Sequence, residues 1–221
     1  MKKIMFNDRY GLTQAVLDGK KTMTRREDKK LNHPLITSIS EWGIDNKGKA
    51  YVTTTYSTGL TEDVYPAYQI GEDVAIAQAY NKICLHDPIF FEGMTKCAGW
   101  ENKMFVKAKY MPHRIRITDI KVEKLQDISV EDCQKEGIIH INWRQYLKQN
   151  VDDYSPQPYK DHELWTLPIF EDSFIDSWAE QKEGEFAATS ADIAFAVLID
   201  RISGKGTWMS NPWVFAYTFE L

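Results

Sequence analysis

Cysteine is scarce in this chain: Cys84, Cys97 and Cys133 are the only three in 221 residues. An odd count with no Cys-x-x-Cys spacing excludes a disulfide framework and leaves reduced, mostly buried thiols. Cys84, His86 and Cys97 lie in one irregular segment, but a Cys-x-His pair with one distant thiol falls short of zinc spacing, so neither a metal nor a cofactor is expected. Long apolar runs are missing as well. No stretch approaches the roughly 20 residues of a membrane span, and Lys2 and Lys3 are not followed by the apolar core of a secretory signal. The expected location is the cytoplasm, without a membrane partner. Net positive charge is also lacking: 27 Lys and Arg stand against 32 Asp and Glu, a formal charge of −5. Such a balance opposes gripping a long duplex by neutralising many phosphates, so any nucleic-acid contact must be local.

What is present is enough apolar residue for one sizeable core, 43% hydrophobic and 13% aromatic, and no repeat. The expectation is a single domain over residues 1–221 with insertions at about 80–100 and 138–189. Residues 3–7 read as a first strand. Leu12, Ala15 and Val16 then recur at helical spacing, and Gly19 stands where a helix stops in the left-handed conformation. Residues 39–44 and 51–57 flank Asp45-Asn46-Lys47-Gly48, a hairpin turn. Val74 and Ile76 alternate as a strand with one buried face. Residues 114–123 alternate strongly, yet Ile115 and Ile117 are odd whereas Ile120 and Val122 are even, so a bulge or bend near Thr118-Asp119 is required. Barrels turn a long strand round a corner in that way.

Ser129 caps a following helix, with Asp132 three residues on as a capping-box variant, and Gly137 ends it. Glu136 is therefore the last helical residue, at the end where the macrodipole disfavours a carboxylate, a setting for a proton donor. Residues 138–189 read as largely helical, with a breaker at 154–159 and a short helix at 170–178. Ser190 caps a core helix striped by Phe195, Leu198, Ile199 and Ile202, and residues 213–221 form an aromatic last strand. The fold class is α+β: a small mixed or antiparallel β-barrel with flanking helices and a largely helical insertion.

The chain is organised around Gly19-Lys20-Lys21-Thr22-Met23-Thr24-Arg25-Arg26, four bases and two hydroxyls directly after a defined helix exit. Positive charge recurs at Lys29 and Lys30, and again at Lys103, Lys107, Lys109, Arg114 and Arg116. Two basic segments meeting at one mouth suit a nucleotide or a short single strand. Lys20 adds charge there, Arg25 or Arg26 can hold a phosphate or an oxyanion, and Tyr68 or Trp100 can stack on a base.

The Gly19 to Arg26 stretch resembles the signature of the ASCH family, small PUA-like barrels in which a helix ending in glycine is followed by Lys-Thr-x-Thr and arginines. The resemblance continues in Tyr68-Gln69-Ile70-Gly71-Glu72-Asp73-Val74, in Gln134-Lys135-Glu136-Gly137 and in Trp208-Met209-Ser210-Asn211-Pro212-Trp213-Val214. The last two segments look most like the longer members found in phage and prophage genomes. In the amidohydrolases of the family, which remove the acetyl group from N4-acetylcytidine, the matching lysine, second threonine and glutamate are catalytic. The resemblance thus implies Lys21, Thr24 and Glu136, and a nucleoside, nucleotide or short single-stranded RNA as partner.

Elementary chemistry makes those roles intelligible. A threonine hydroxyl is a poor nucleophile until a base takes its proton, and Lys21 serves only when neutral. Burial and the like charges of Lys20, Arg25 and Arg26 push in that direction. Glu136 then protonates the departing amine. Residues three apart point to opposite faces of a regular strand, so Lys21 and Thr24 converge only where the backbone bends between them. The alternatives are a non-catalytic reader of RNA or modified bases and a ribonuclease, the latter without an obvious histidine pair.

Overall fold

The computed structural model describes residues 1–83, 97–142, 163–166 and 187–221. The chain, expected as a single domain, is drawn from interleaved segments into two compact units. One comprises Met1–Phe6, Arg26–Val122 and Val214–Leu221, the other Asn7–Arg25 and Glu123–Trp213.

The first unit is a β structure. Strands β1 (Lys3–Ile4), β2 (Met23–Glu27), β6 (Asp73–Ile76), β7 (Arg114–Lys124) and β11 (Trp213–Glu220) make a five-stranded sheet in the order β1-β6-β7-β11-β2. Residues 23–25 and 123–124 of two of these strands are counted with the second unit. The pairing is mixed: β1 runs parallel to β6, and β6 antiparallel to β7. Ile4, Val74, Ile115 and Val214 thus share one sheet, as expected, but the pairing among the described residues runs from β1 to β2 and closes no barrel. Beside it β3 (Ile36–Ile44), β4 (Ala50–Tyr56) and β5 (Thr61–Val64) form an antiparallel sheet. Its first turn is the Asp45 to Gly48 hairpin, where Gly48 takes φ 75° and the Asp45 carboxylate accepts from the Lys47 and Lys49 amides.

Val74, Ala75 and Ile76 are all fully buried, so β6 has two covered faces rather than the single one that its alternation implies. Strands covered on both sides read as continuous apolar runs, and Ala75 conceals the second face by being small. In β7 the phase of burial does slip: Ile115, Ile117 and Ile120 are buried while Thr118 and Asp119 are both exposed. The aromatic β11 supplies the centre of the core, with Phe219 against Phe6 and Phe215 against Trp42.

The second unit carries most of the helices among the described residues. Gly11, at φ 65°, opens α1 (Leu12–Leu17). Of the expected insertion at 80–100, α2 (Tyr80–Ile83) and the turn from Cys97 are described and belong to the first unit; Cys84 and His86 lie outside the described residues. Further along, α3 (Val130–Lys135) starts at Ser129, whose hydroxyl accepts from the Asp132 amide at 3.1 Å. Next come α4 (Ala191–Ser203) and α5 (Thr207–Ser210). Ser190 is the N-cap residue of α4 but makes no side-chain cap hydrogen bond, and the helix is held instead by its buried stripe of Ala191, Ala194, Phe195 and Leu198.

Within the stretch at 138–189 the regular structure among the described residues is strand. β8 (Ile139–Asn142), β9 (Glu163–Thr166) and β10 (Ala187–Ala188) form an antiparallel sheet in the order β10-β9-β8. Ile139 and Ile141 alternate with His140, whose ring packs on Trp165 with centroids 4.4 Å apart, a cross-strand pair of the kind that fixes a register. Residues 154–159 and 170–178 lie outside the described residues.

Candidate functional site

Two helix ends build the site in the second unit, and both end the same way. Asp18 closes α1, Gly19 follows at φ 71°, its amide bonds the Val16 carbonyl, and the Lys20 amide reaches back to Ala15 at 2.8 Å. Glu136 closes α3, Gly137 follows at φ 101°, its amide bonds Gln134, and the Ile138 amide reaches Cys133 at 3.0 Å. These are Schellman closures, which need a residue free to adopt positive φ and fix the direction in which the chain leaves. The two exits are joined by the Thr22 amide, which donates to the Lys135 carbonyl at 2.9 Å.

Lys21 stands between the end of α1 and the start of β2, outside any regular element, with its side chain 2% exposed. Its ammonium donates to the Glu136 backbone carbonyl at 2.7 Å and to Glu136 Oε2 at 2.5 Å. One bond caps the C-terminus of α3, where a cation is favoured, and the other is a buried ion pair. Residues 115 positions apart in the chain therefore meet directly.

Arg25 completes the cluster. Its guanidinium, with no side-chain exposure, approaches Glu123 at 2.6 Å, Asp132 at 3.0 Å and Glu136 Oε1 at 3.2 Å. The ring of Phe195 lies 5.9 Å beneath it. Burial alone would lower the Arg25 pKa, but Glu136, Glu123 and Asp132 overcome that and raise it. The arginine that the sequence offers for a phosphate or oxyanion is thus taken up by three carboxylates. Asp132, expected only as a cap partner, also accepts from Lys135 at 3.2 Å.

Thr24 is buried, 5% exposed, on β2. Met23 and Arg25 share one face of that strand, Arg25 Nη1 lying 3.3 Å from Met23 Sδ, and alternation turns Thr24 to the other. Lys21 and Glu136 are brought together; Thr24 is not joined to them by any hydrogen bond among the described residues. Cys133, one turn before Gly137, is fully buried, and desolvation pushes its thiol up to about 12.

The expected binding residues are distributed. Lys20 is exposed at the helix exit. Arg26 belongs to the first unit, where it donates to the Met5 carbonyl at 2.5 Å and lies over Phe6. Tyr68 donates its hydroxyl to the Lys3 carbonyl and meets Tyr217 edge-on. Trp100, half-buried, packs against the cluster of Ala75, Ala77, Tyr80, Ile83, Val106 and Met111. The basic segments are largely answered where they stand: Lys30 pairs with Glu62, Arg116 with Asp73, and Lys109 lies over Tyr110. Glu123 and Asp132 were missed by sequence reasoning; the one available signal was Asp132 and Glu136 at i and i+4, two carboxylates on one helix face that call for a shared cation.

Among the described residues no group of three or more His, Cys, Asp or Glu is placed to hold a metal ion, and no helix is long and apolar enough to cross a membrane. Comparison with family models, with curated proteins and with solved structures found no match to this chain.

Proposed function

We propose that the chain is an ASCH-type, PUA-like protein acting on a nucleoside or nucleotide, and that its second unit hydrolyses an acylated cytosine amide of the N4-acetylcytidine kind. The observation that carries this reading is the buried contact of Lys21 with Glu136. The family motif nominates both residues, and they touch at 2.5 Å. Read as an ion pair of ammonium and carboxylate, the contact exchanges the roles that the isolated residues invite. Glu136 accepts the proton of the attacking hydroxyl, and Lys21 donates to the departing amine.

Thr24 Oγ forms the bond to the acyl carbon, the C–N bond breaks, and cytosine leaves with its exocyclic amine restored. Water then cleaves the acyl-threonine ester, releasing the carboxylic acid and returning the hydroxyl. Thr24 must be carried toward the acyl group as substrate enters, since catalytic contacts often tighten only in the complex.

The test is incubation with N4-acetylcytidine, following cytidine release by the parent and by Lys21→Ala, Thr24→Ala and Glu136→Gln. All three variants collapse together, because residues acting as one unit are non-additive. Activity surviving Thr24→Ala identifies water as the attacking group. No release by the parent, with cytidine derivatives still bound, replaces the enzyme by a reader of modified bases.

A further inference from the structure

Of the two arginines that the sequence offers for an anionic ligand, Arg25 is the one least able to reach it. Arg25 has five N–H donors in a rigid fork. Nε donates to Glu123 at 2.9 Å, Nη2 approaches Glu123 and Asp132, and Nη1 faces Glu136 Oε1 and Met23 Sδ. No part of the side chain is exposed, and the Phe195 ring covers it. Glu136 is thereby divided between two cations, Oε2 to Lys21 and Oε1 to Arg25. Asp132 and Glu136 stand one turn apart on α3, where two like charges repel unless a cation lies between them.

We propose that Arg25 is a positioning residue for Glu136: anchored by Glu123 and Asp132, it fixes the carboxylate's rotation so that the other oxygen meets Lys21. This rests on the hydrolytic reading for its consequence in catalysis, but not for its geometry. Lysine is no substitute at this position, since a single ammonium cannot serve three carboxylates in fixed directions.

The experiment compares the full-length parent with Arg25→Gln, Arg25→Lys and Asp132→Asn. Glutamate is labelled with ¹³C at the carboxyl, and the Glu136 resonance is assigned by its loss in Glu136→Gln. With Arg25 removed, the Glu136 resonance shifts from its parent position and broadens, because the carboxylate is no longer held in one rotation. Asp132→Asn, which loosens the arginine without deleting it, broadens the same resonance by less and keeps the test alive where the Arg25 variants fail to fold. On N4-acetylcytidine, kcat falls by about 10²-fold while KM stays within about twofold, since positioning is lost and no substrate contact is. A raised KM with an unchanged Glu136 resonance makes Arg25 a ligand contact and overturns the proposal. A lowered unfolding midpoint with an unchanged resonance makes it structural only and overturns it equally. Absence of hydrolysis by the parent removes the hydrolytic reading alone, and the resonance still decides the role of Arg25.

Discussion

Lys21→Met isolates the charge of the buried pair, because methionine keeps the length of the stem and removes the ammonium. The side chain is 2% exposed and its partner carboxylate 5%. Among the described residues Lys21, Arg25 and Lys135 face Glu123, Asp132 and Glu136, so the cluster goes from balance to one excess negative charge. Removing one member of a buried pair costs about 3–5 kcal/mol. Arg25 still serves Glu136 here, which places the expected cost at the lower end, about 3 kcal/mol. For a chain of this length that lowers the unfolding midpoint by about 6–12 °C. The assay is urea unfolding followed by circular dichroism and tryptophan fluorescence together, whose coincidence tests the two-state assumption. In the Glu136→Gln background the same substitution costs about 2 kcal/mol less, because the charge it would strand is gone. Added salt leaves both numbers nearly unchanged, since a pair withdrawn from water is little screened. A cost below about 1 kcal/mol, the range of surface pairs, or strict additivity with Glu136→Gln, would refute the burial and the pairing together.

Other perturbations test the frame around the site. Gly19→Ala places a Cβ at φ 71° with no atom within 4 Å of it, so its cost is conformational alone, about 1–2 kcal/mol by thermal unfolding; a gain in stability would contradict the left-handed exit. Tyr217→Phe leaves the Ala67 amide without the hydroxyl that accepts from it at 2.9 Å, a loss of about 1–3 kcal/mol, and an unchanged midpoint would mean that water replaces the hydroxyl. Iodoacetamide at mildly alkaline pH, with peptide mapping, should label exposed Cys97 and spare Cys133 until denaturant is added. The Cys133 thiol is raised from 9.0 to about 12, so its contribution to stability is complete below the ordinary thiol value and is lost as pH climbs through that window; equal labelling of the two would refute it.

Legibility from sequence followed the range of the interactions. The exits at Gly19 and Gly137, the Ser129 cap and the Asp45 to Gly48 turn are local, each written in a few adjacent residues, and all four are in the structure. The phase slip at Thr118-Asp119 was equally plain, because burial repeats every two residues along a strand. Helix in the stretch at 138–189 was a weaker inference. Its polar, breaker-rich composition lacks a period, and the described pieces are strands whose partners lie more than twenty residues away, a separation that local pattern does not encode. The packing partners of Arg25 and Trp100 were illegible for a related reason. Charge and aromatic surface show what a side chain can bind, whereas the partner is chosen by the fold, and here it was three carboxylates and an apolar cluster.

The composition of the buried cluster follows from where the motif is placed. Met23, Thr24 and Arg25 are successive residues of β2 and all three are buried, so that part of the strand has no solvent face on which to leave a charge. An arginine in such a position must be paired or excluded, because an isolated buried charge is far more costly than any packing gain. Helix α3 answers with carboxylates at i and i+4, one of the two spacings that put two ligands of one cation on the same helix face, and Glu123 adds the third from the strand end. Three carboxylates then exceed what one arginine neutralises; Lys21 balances a second, and Lys135 on Asp132 a third. Lys21 reaches Glu136 because it precedes the strand, where the chain is not bound to alternate and the Schellman exit directs it at the helix end. The ion pair and the helix cap are therefore one event: the ammonium that answers the carboxylate also closes the carbonyl of the same residue.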